Sequence, residues 1–332
     1  MQFHQGNPNL KNYYPENFEG TPMSADGRFK NLGIHFIPGL KEVIKWKSKA
    51  NPDKLEKEKD IWRPDVTFDG NYLHEPKNCL VWLGHASFYL HLNGKKILID
   101  PVFGNVSMLK RLIPFPTPTS EFRDIDYLLM SHGHRDHCDG PSLKIISKQN
   151  PRLRVFSGLE MEKVLNKWFR KDQIQTAGWY QEYNLDIEEL KIFYVPSRHW
   201  SKRWLNDENK TLWGGFIIQY GGKTIYFMGD SGYGEHFKQI ASLFPNPDIC
   251  IMGIGAYKPE WFMGPSHISP TNAARAFNEM NGRCMIPMHY ATFDLSDEPI
   301  SDPIKNLYAL ETSNEILGKL KVLNPGEIFL IT

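Results

Sequence analysis

The sequence predicts an α/β protein in which two mixed β-sheets lie face to face with helices outside. Two observations carry that prediction. A hairpin-like pair of strand runs occurs twice, over residues 79–100 and 212–230, and each pair ends on an acidic residue, Asp100 and Asp230. Each pair is then followed by an intervening segment and a further strand run, 126–130 in the first half and 248–254 in the second. Both acidic strand ends are therefore expected to meet between the sheets.

The elements follow in order. Residues 1–78 are rich in Gly, Pro, Asn and charge, with short helical patterning near Leu40 to Trp46 and a charged run from Lys54 to Asp60. They read as an N-terminal extension packed on a core, and residues 79–332 as one domain. The runs LVWLGHASFYLHL and KKILID are joined at Asn93-Gly94, a strong hairpin signal because both residues tolerate positive φ. A Pro-rich stretch from Pro101 to Pro118 reads as a long surface loop exposing Met108, Leu109, Leu112, Ile113 and Phe115. The strand at 126–130 runs into SHGHRDHCDG, a helical segment follows at 141–148, and a second hairpin turns at Gly221-Gly222.

Composition excludes several classes. With 39 basic and 38 acidic residues the net charge is +1, so no nucleic-acid partner is implied. No apolar run approaches the roughly 20 residues of a bilayer span. The start has neither the basic flank nor the apolar run of a secretory signal, which makes the cytoplasm the expected location. Cys79, Cys138, Cys250 and Cys284 lack C-x-x-C spacing, so neither a disulfide framework nor a Cys-rich zinc knot is suggested.

His132-Gly133-His134-Arg135-Asp136-His137 places three imidazoles and a carboxylate within six residues, directly after an apolar strand. In extended chain His132 and His134 point the same way, while Asp136 and His137 swing to a neighbouring position after the turn, which suits two adjacent metals. Imidazole and carboxylate favour zinc, iron or manganese over copper(I). Further ligands are sought at apolar strand ends, where His199, Asp230 and His289 stand. Singly each is weak evidence, since a strand-end His is often structural; together with the cluster they point to a binuclear site. Gly229-Asp230-Ser231-Gly232 is not a serine nucleophile elbow, because Tyr233 occupies the position of the last Gly.

These residues resemble the H-x-H-x-D-H signature of the metallo-β-lactamase fold. The segments VWLGHASFYL, ILIDPVF, PSRHWSKRWLNDENKTLWGGF, FMGDSGYGEHF, IGAYKPEWFMGPSHISP and MHYATFDLSDEP are similar to its N-acyl-phosphatidylethanolamine phospholipase D branch, from about residue 60 onward. The resemblance implies a four-layer αββα sandwich and a hydrolase with two Zn²⁺, iron and manganese being alternatives. His132, His134 and His199 would hold one ion, Asp136, His137 and His289 the other, and Asp230 would bridge them. A hydroxide made from water shared by the two cations would attack phosphorus in line. Asp136 and His267 are the residues assigned to catalysis, His267 binding substrate phosphate or protonating the leaving oxygen.

Asp100, with Asp139 as a second candidate, is expected to orient a ligating imidazole. His85 reads as a core histidine hydrogen-bonded to backbone. Trp200, Trp204, Trp213 and Trp261-Phe262-Met263, with the Pro-rich loop, are expected to form a groove for acyl chains. The expected substrate is a small-molecule or lipid phosphodiester, with peripheral contact at a membrane surface; the oligomeric state is left open. A lactonase or thioesterase of the same fold is the alternative enzyme, and a non-catalytic metal- or lipid-binding protein is the alternative of another class.

Overall fold

The computed structural model describes residues 3–33, 38–74 and 77–332. The first sheet has seven strands in the order Ile328–Leu330, Cys79–Gly84, Ser87–Leu92, Lys95–Ile99, Tyr127–Met130, Arg154–Gly158, Ile174–Ala177. Its hairpin half is antiparallel, and pairing becomes parallel from Lys95–Ile99 onward. The second sheet has eight strands in the order Lys319–Leu320, Cys284–Met288, Ile249–Gly253, Lys223–Phe227, Gly215–Tyr220, Leu190–Val195, Gln181–Glu182, Lys11–Asn12. It too is mixed, parallel at the Cys284–Met288 end and antiparallel at the other. The four-layer αββα arrangement is thus present.

Period-two alternation explains why the strands read as nearly continuous apolar runs: both faces are covered. In Cys79–Gly84, Leu80 and Trp82 face the second sheet, in one core with Phe216, Ile218 and Phe227. Val81 and Leu83 face outward into a separate core completed by Leu143 and Ile146 of the helix Gly140–Gln149. The rings of Phe88 and Phe227 meet across the sheets with centroids 6.1 Å apart. On the far side, the helices His236–Leu243, Pro270–Glu279 and Asp302–Thr312 bury Phe237, Phe277 and Leu307.

Three expectations need correction. The run 80–92 is two strands, broken by a turn at His85-Ala86, where Gly84 (φ +99°) and His85 (φ +53°) take positive φ; apolar neighbours hide the break from periodicity. In the Pro-rich stretch Met108 is exposed, but Val102, Val106 and Ile113 are buried. Beneath that stretch the Arg111 guanidinium donates to the carbonyls of Leu83, Val102 and Ile113, so the loop is fastened down. Trp213 is fully buried against Trp179 and belongs to the core, not to a groove.

The N-terminal residues are stitched to this body by polar contacts. Lys11–Asn12 adds an edge strand to the second sheet. The helix Leu40–Ser48 is held by Trp46, which stacks on Phe262 and donates to Asp297 Oδ2 at 2.8 Å. Among the described residues no helix is long and apolar enough to cross a membrane.

Candidate metal centre

Parallel strands point their C-terminal ends at one rim of the sandwich, and this rim gathers the titratable residues. His132, His134, Asp136 and His137 follow the strand Tyr127–Met130, Asp230 follows Lys223–Phe227, and His289 follows Cys284–Met288. His199 comes from the irregular loop after Leu190–Val195. All seven predicted residues come together.

With His85 they make up two four-residue groups, each with its candidate ligand atoms within 4.8 Å of one another: His132, His134, His199 and Asp230; and His85, Asp136, His137 and His289. In the first, His134 Nδ1 lies 3.0 Å from both His132 Nε2 and His199 Nε2. Asp230 joins the groups, its Oδ2 3.1 Å from His137 Nε2 and its Oδ1 3.2 Å from His289 Nε2.

The tautomers are set from behind. Asp100, fully buried, accepts from His137 Nδ1 at 2.9 Å, from the Ser131 amide at 2.7 Å and from Ser131 Oγ. Ser131 Oγ, its proton committed to Asp100, accepts in turn from His132 Nδ1 at 2.9 Å. His199 Nδ1 donates to the Ser266 carbonyl at 2.9 Å. His132 and His199 therefore turn an unprotonated Nε2 toward the same space, His137 Nε2 and His289 Nε2 lie against Asp230, and His134 Nε2 and His289 Nδ1 are buried without a hydrogen-bond partner. Converging lone pairs of this kind repel unless a cation lies between them, so the donor set fits divalent metal, with nitrogen and oxygen ligands suited to zinc, iron or manganese.

Electrostatics agree with that donor set for three imidazoles and set His137 apart: burial lowers it, but Asp230, Asp136 and Asp100 hold it well above the ordinary histidine range, so a cation there would take the place of its Nε2 proton. Burial, aided by neighbouring imidazoles, holds His132 and His199 well below the ordinary histidine range and pushes His134 down to about 4. All three are in the neutral form a metal requires. Burial alone would raise Asp136 and Asp230, but His137 and the other imidazoles facing them hold both carboxyls well below the usual range. The backbone contributes as well: His85, Asp100 and His289 all adopt positive φ, a strain on the order of 1 kcal/mol or more each that concentrates at functional sites.

Two expectations change here. His85 is not a backbone-bonded core histidine, because its Nε2 lies 3.0 Å from Asp136 Oδ2. Asp139 does not orient an imidazole; it caps the helix Gly140–Gln149, accepting from the Ser142 amide and hydroxyl. Asp100 alone of the two faces a histidine.

A cavity of about 300 Å³ opens onto the centre. Its polar floor is His134, Asp136, Asp230 and His267, and its walls include Val43, Trp200, Phe262, Met263 and Leu295. His267 Nδ1 lies 3.9 Å from Asp230 Oδ2. Trp204 and Trp261, expected in a groove, lie outside this lining and carry Arg135 and Lys45 over their rings.

A family model described as a beta-lactamase superfamily domain matches residues 95–290. An N-acyl-phosphatidylethanolamine-hydrolyzing phospholipase D 1 of Caenorhabditis elegans is 29% identical over 317 residues, covering 88% of this chain and 88% of that protein. A UPF0173 metal-dependent hydrolase of Caldivirga maquilingensis is 31% identical over 254 residues, covering 75% of this chain and 96% of that one. Among solved structures, the metallo hydrolase Igni18 of Ignicoccus hospitalis superposes with a TM-score of 0.60 at 23% identity, over 77% of this chain and 99% of that one.

Proposed function

The chain belongs to the beta-lactamase superfamily of metal-dependent hydrolases, and from that premise we propose that it is a binuclear zinc phosphodiesterase acting on lipid-like phosphodiesters. The observation that carries this reading is the convergence of imidazole nitrogens and carboxylate oxygens on two neighbouring sites with Asp230 between them. His132, His134 and His199 would hold one ion, Asp136, His137 and His289 the other, and Asp230 both. Bound there, the two cations supply Lewis acidity toward a phosphoryl oxygen and make water acidic enough to be a nucleophile near neutral pH.

The chain's own residues do the rest. Asp100 and Ser131 fix the rings of His137 and His132, so no reorganisation is needed when a ligand arrives. His85 Nε2 donates to Asp136 Oδ2 and holds that carboxylate beside His137 and His289. His267, which lines the cavity, would hydrogen-bond a phosphoryl oxygen. The apolar walls suit the alkyl or acyl part of a substrate and exclude water around the reacting group. Leu40 and Ile44 are exposed on the helix Leu40–Ser48, beside Lys45 and Lys49 over Trp261. That pairing of apolar and cationic groups supports contact with an anionic lipid surface, in place of the Pro-rich loop.

The test is to load the protein with zinc and compare bis(p-nitrophenyl) phosphate, N-acyl phosphatidylethanolamine and a lactone and thioester panel, with Asp230→Asn as control. Turnover of both phosphodiesters is expected. Turnover of lactones or thioesters alone would replace this reading with the lactonase or thioesterase one. Metal binding without turnover of any of them would leave a binding protein.

A further inference from the structure

Between the strands Leu190–Val195 and Gly215–Tyr220 the chain contains neither helix nor strand, yet this stretch carries His199. A ligand on irregular backbone is imprecise unless something outside the loop fixes it. The structure shows what does. Asn31, 168 positions upstream and buried, brackets the His199 peptide: its Nδ2 donates to the His199 carbonyl at 2.7 Å, and its Oδ1 accepts from the His199 amide at 3.1 Å. The same Oδ1 accepts from Trp213 Nε1 at 3.2 Å, and that indole N–H is shared with the Ser197 carbonyl at 3.0 Å.

We propose that Asn31 is a positioning residue of the metal centre, which makes the N-terminal segment part of the site. An asparagine amide offers one acceptor and donors in the geometry of a peptide unit, so it engages His199 as a neighbouring strand would. The segment that presents it is anchored both on the same loop, at Asn209, and away from it, at Trp179. The Phe29 amide donates to the Asn209 carbonyl at 2.8 Å, Phe29 is buried, and Thr21 Oγ1 accepts from the Trp179 amide at 2.8 Å. Arg198 beside it is held by a bridge to Gly232 and by Ser231 Oγ, Asn31 holds the His199 amide and carbonyl, and the Ser266 carbonyl holds Nδ1, so His199 Nε2 is turned toward His132 and His134.

This inference rests on His199 being a ligand, and the experiment separates the two claims. Zn²⁺ affinity of the full chain is measured by competition with a chelating dye, and the Co²⁺ absorption spectrum reports coordination, for wild type, Asn31→Asp, Asn31→Ala and Thr21→Val. Asn31→Asp keeps the shape but turns a carboxylate oxygen toward the His199 carbonyl. Thr21→Val loosens the same segment without touching His199. We expect both Asn31 variants to weaken one of the two sites by about 10–100-fold, the range for loss of an outer partner, with an altered Co²⁺ spectrum. Thr21→Val should bind as wild type even if its melting temperature falls. If Asn31→Ala does not accumulate as folded protein, the isosteric Asn31→Asp decides. Wild-type affinity at both sites in the Asn31 variants would overturn the inference alone. A wild-type chain that binds neither ion would overturn the ligand reading and the inference with it.

Discussion

The two halves of the centre are built in different ways. His137 and His289 sit on short turns that leave strands of the two sheets, and their backbones inherit the rigidity of the sandwich. His199, in the other half, hangs on an irregular loop whose placement depends on Asn31 and on the Ser266 carbonyl, both distant in sequence. Asp230 and Asp100 serve both halves, the first between them and the second behind them through His137 and Ser131. The difference teaches that His132 and His289 are fixed by the strands they leave and His199 by long-range polar contacts, so substitutions behind His199 should reach its half first.

The largest effect is expected where the halves join. Asp230→Asn removes the carboxylate charge shared by both groups, and zinc content by mass spectrometry and phosphodiester turnover should each fall by more than about 100-fold, beyond the loss of an outer partner. Retained zinc and turnover would show that the halves act independently. Asp100→Asn should weaken both halves by roughly 10–100-fold, the His137 half more, because Asp100 contacts that ring directly and His132 only through Ser131. Equal binding of Zn²⁺ by this variant and wild type in dye competition would contradict it. His85→Phe should touch only the Asp136 half, by about tenfold, leaving the other site's Co²⁺ spectrum unchanged.

Much of this plan was legible in the chain. Ligand density after an apolar strand marked His132 to His137, and strand-end position marked Asp230 and His289, because a ligand on a sheet inherits a local signal. Asn93-Gly94 marked its turn through its tolerance of positive φ. His85 was hidden because its strand break falls among buried apolar residues on both sides, and Trp213 because core and groove aromatics look alike in sequence. Asn31 had no local signal at all: its meaning is a contact across 168 residues with a loop that has no periodicity. Asp139 misled because an N-cap and a histidine-orienting carboxylate are the same residue type next to the same motif.

Two further substitutions should leave both halves intact. Val43→Trp narrows the cavity from its N-terminal wall and should raise KM for N-acyl phosphatidylethanolamine on the order of tenfold, the scale on which pocket fit discriminates. Turnover of bis(p-nitrophenyl) phosphate and zinc content should not change; a fall in either would place Val43 in the support of the metals. The last effect concerns pH and lies outside the metal centre. Burial pushes His236, hydrogen-bonded to Ser231 Oγ at 3.0 Å, down to about 3 from an ordinary 6.5. The unfolded chain therefore binds a proton that the fold refuses, and stability from this group is present above pH 6.5 and lost as pH falls toward 3. Between pH 6.5 and pH 4 the loss is about 3 kcal/mol. His236→Gln should flatten that part of the melting-temperature profile, and an unchanged slope would show that His236 does not titrate on unfolding.

The central claim is that side chains from both sheets enclose a pair of cations, and anomalous diffraction at the zinc edge from zinc-loaded crystals tests it most directly. Two peaks about 3.5–4 Å apart are predicted, one among His132, His134 and His199, the other among Asp136, His137 and His289, with Asp230 between. Crystals soaked in zinc that show no peak among these residues would contradict it.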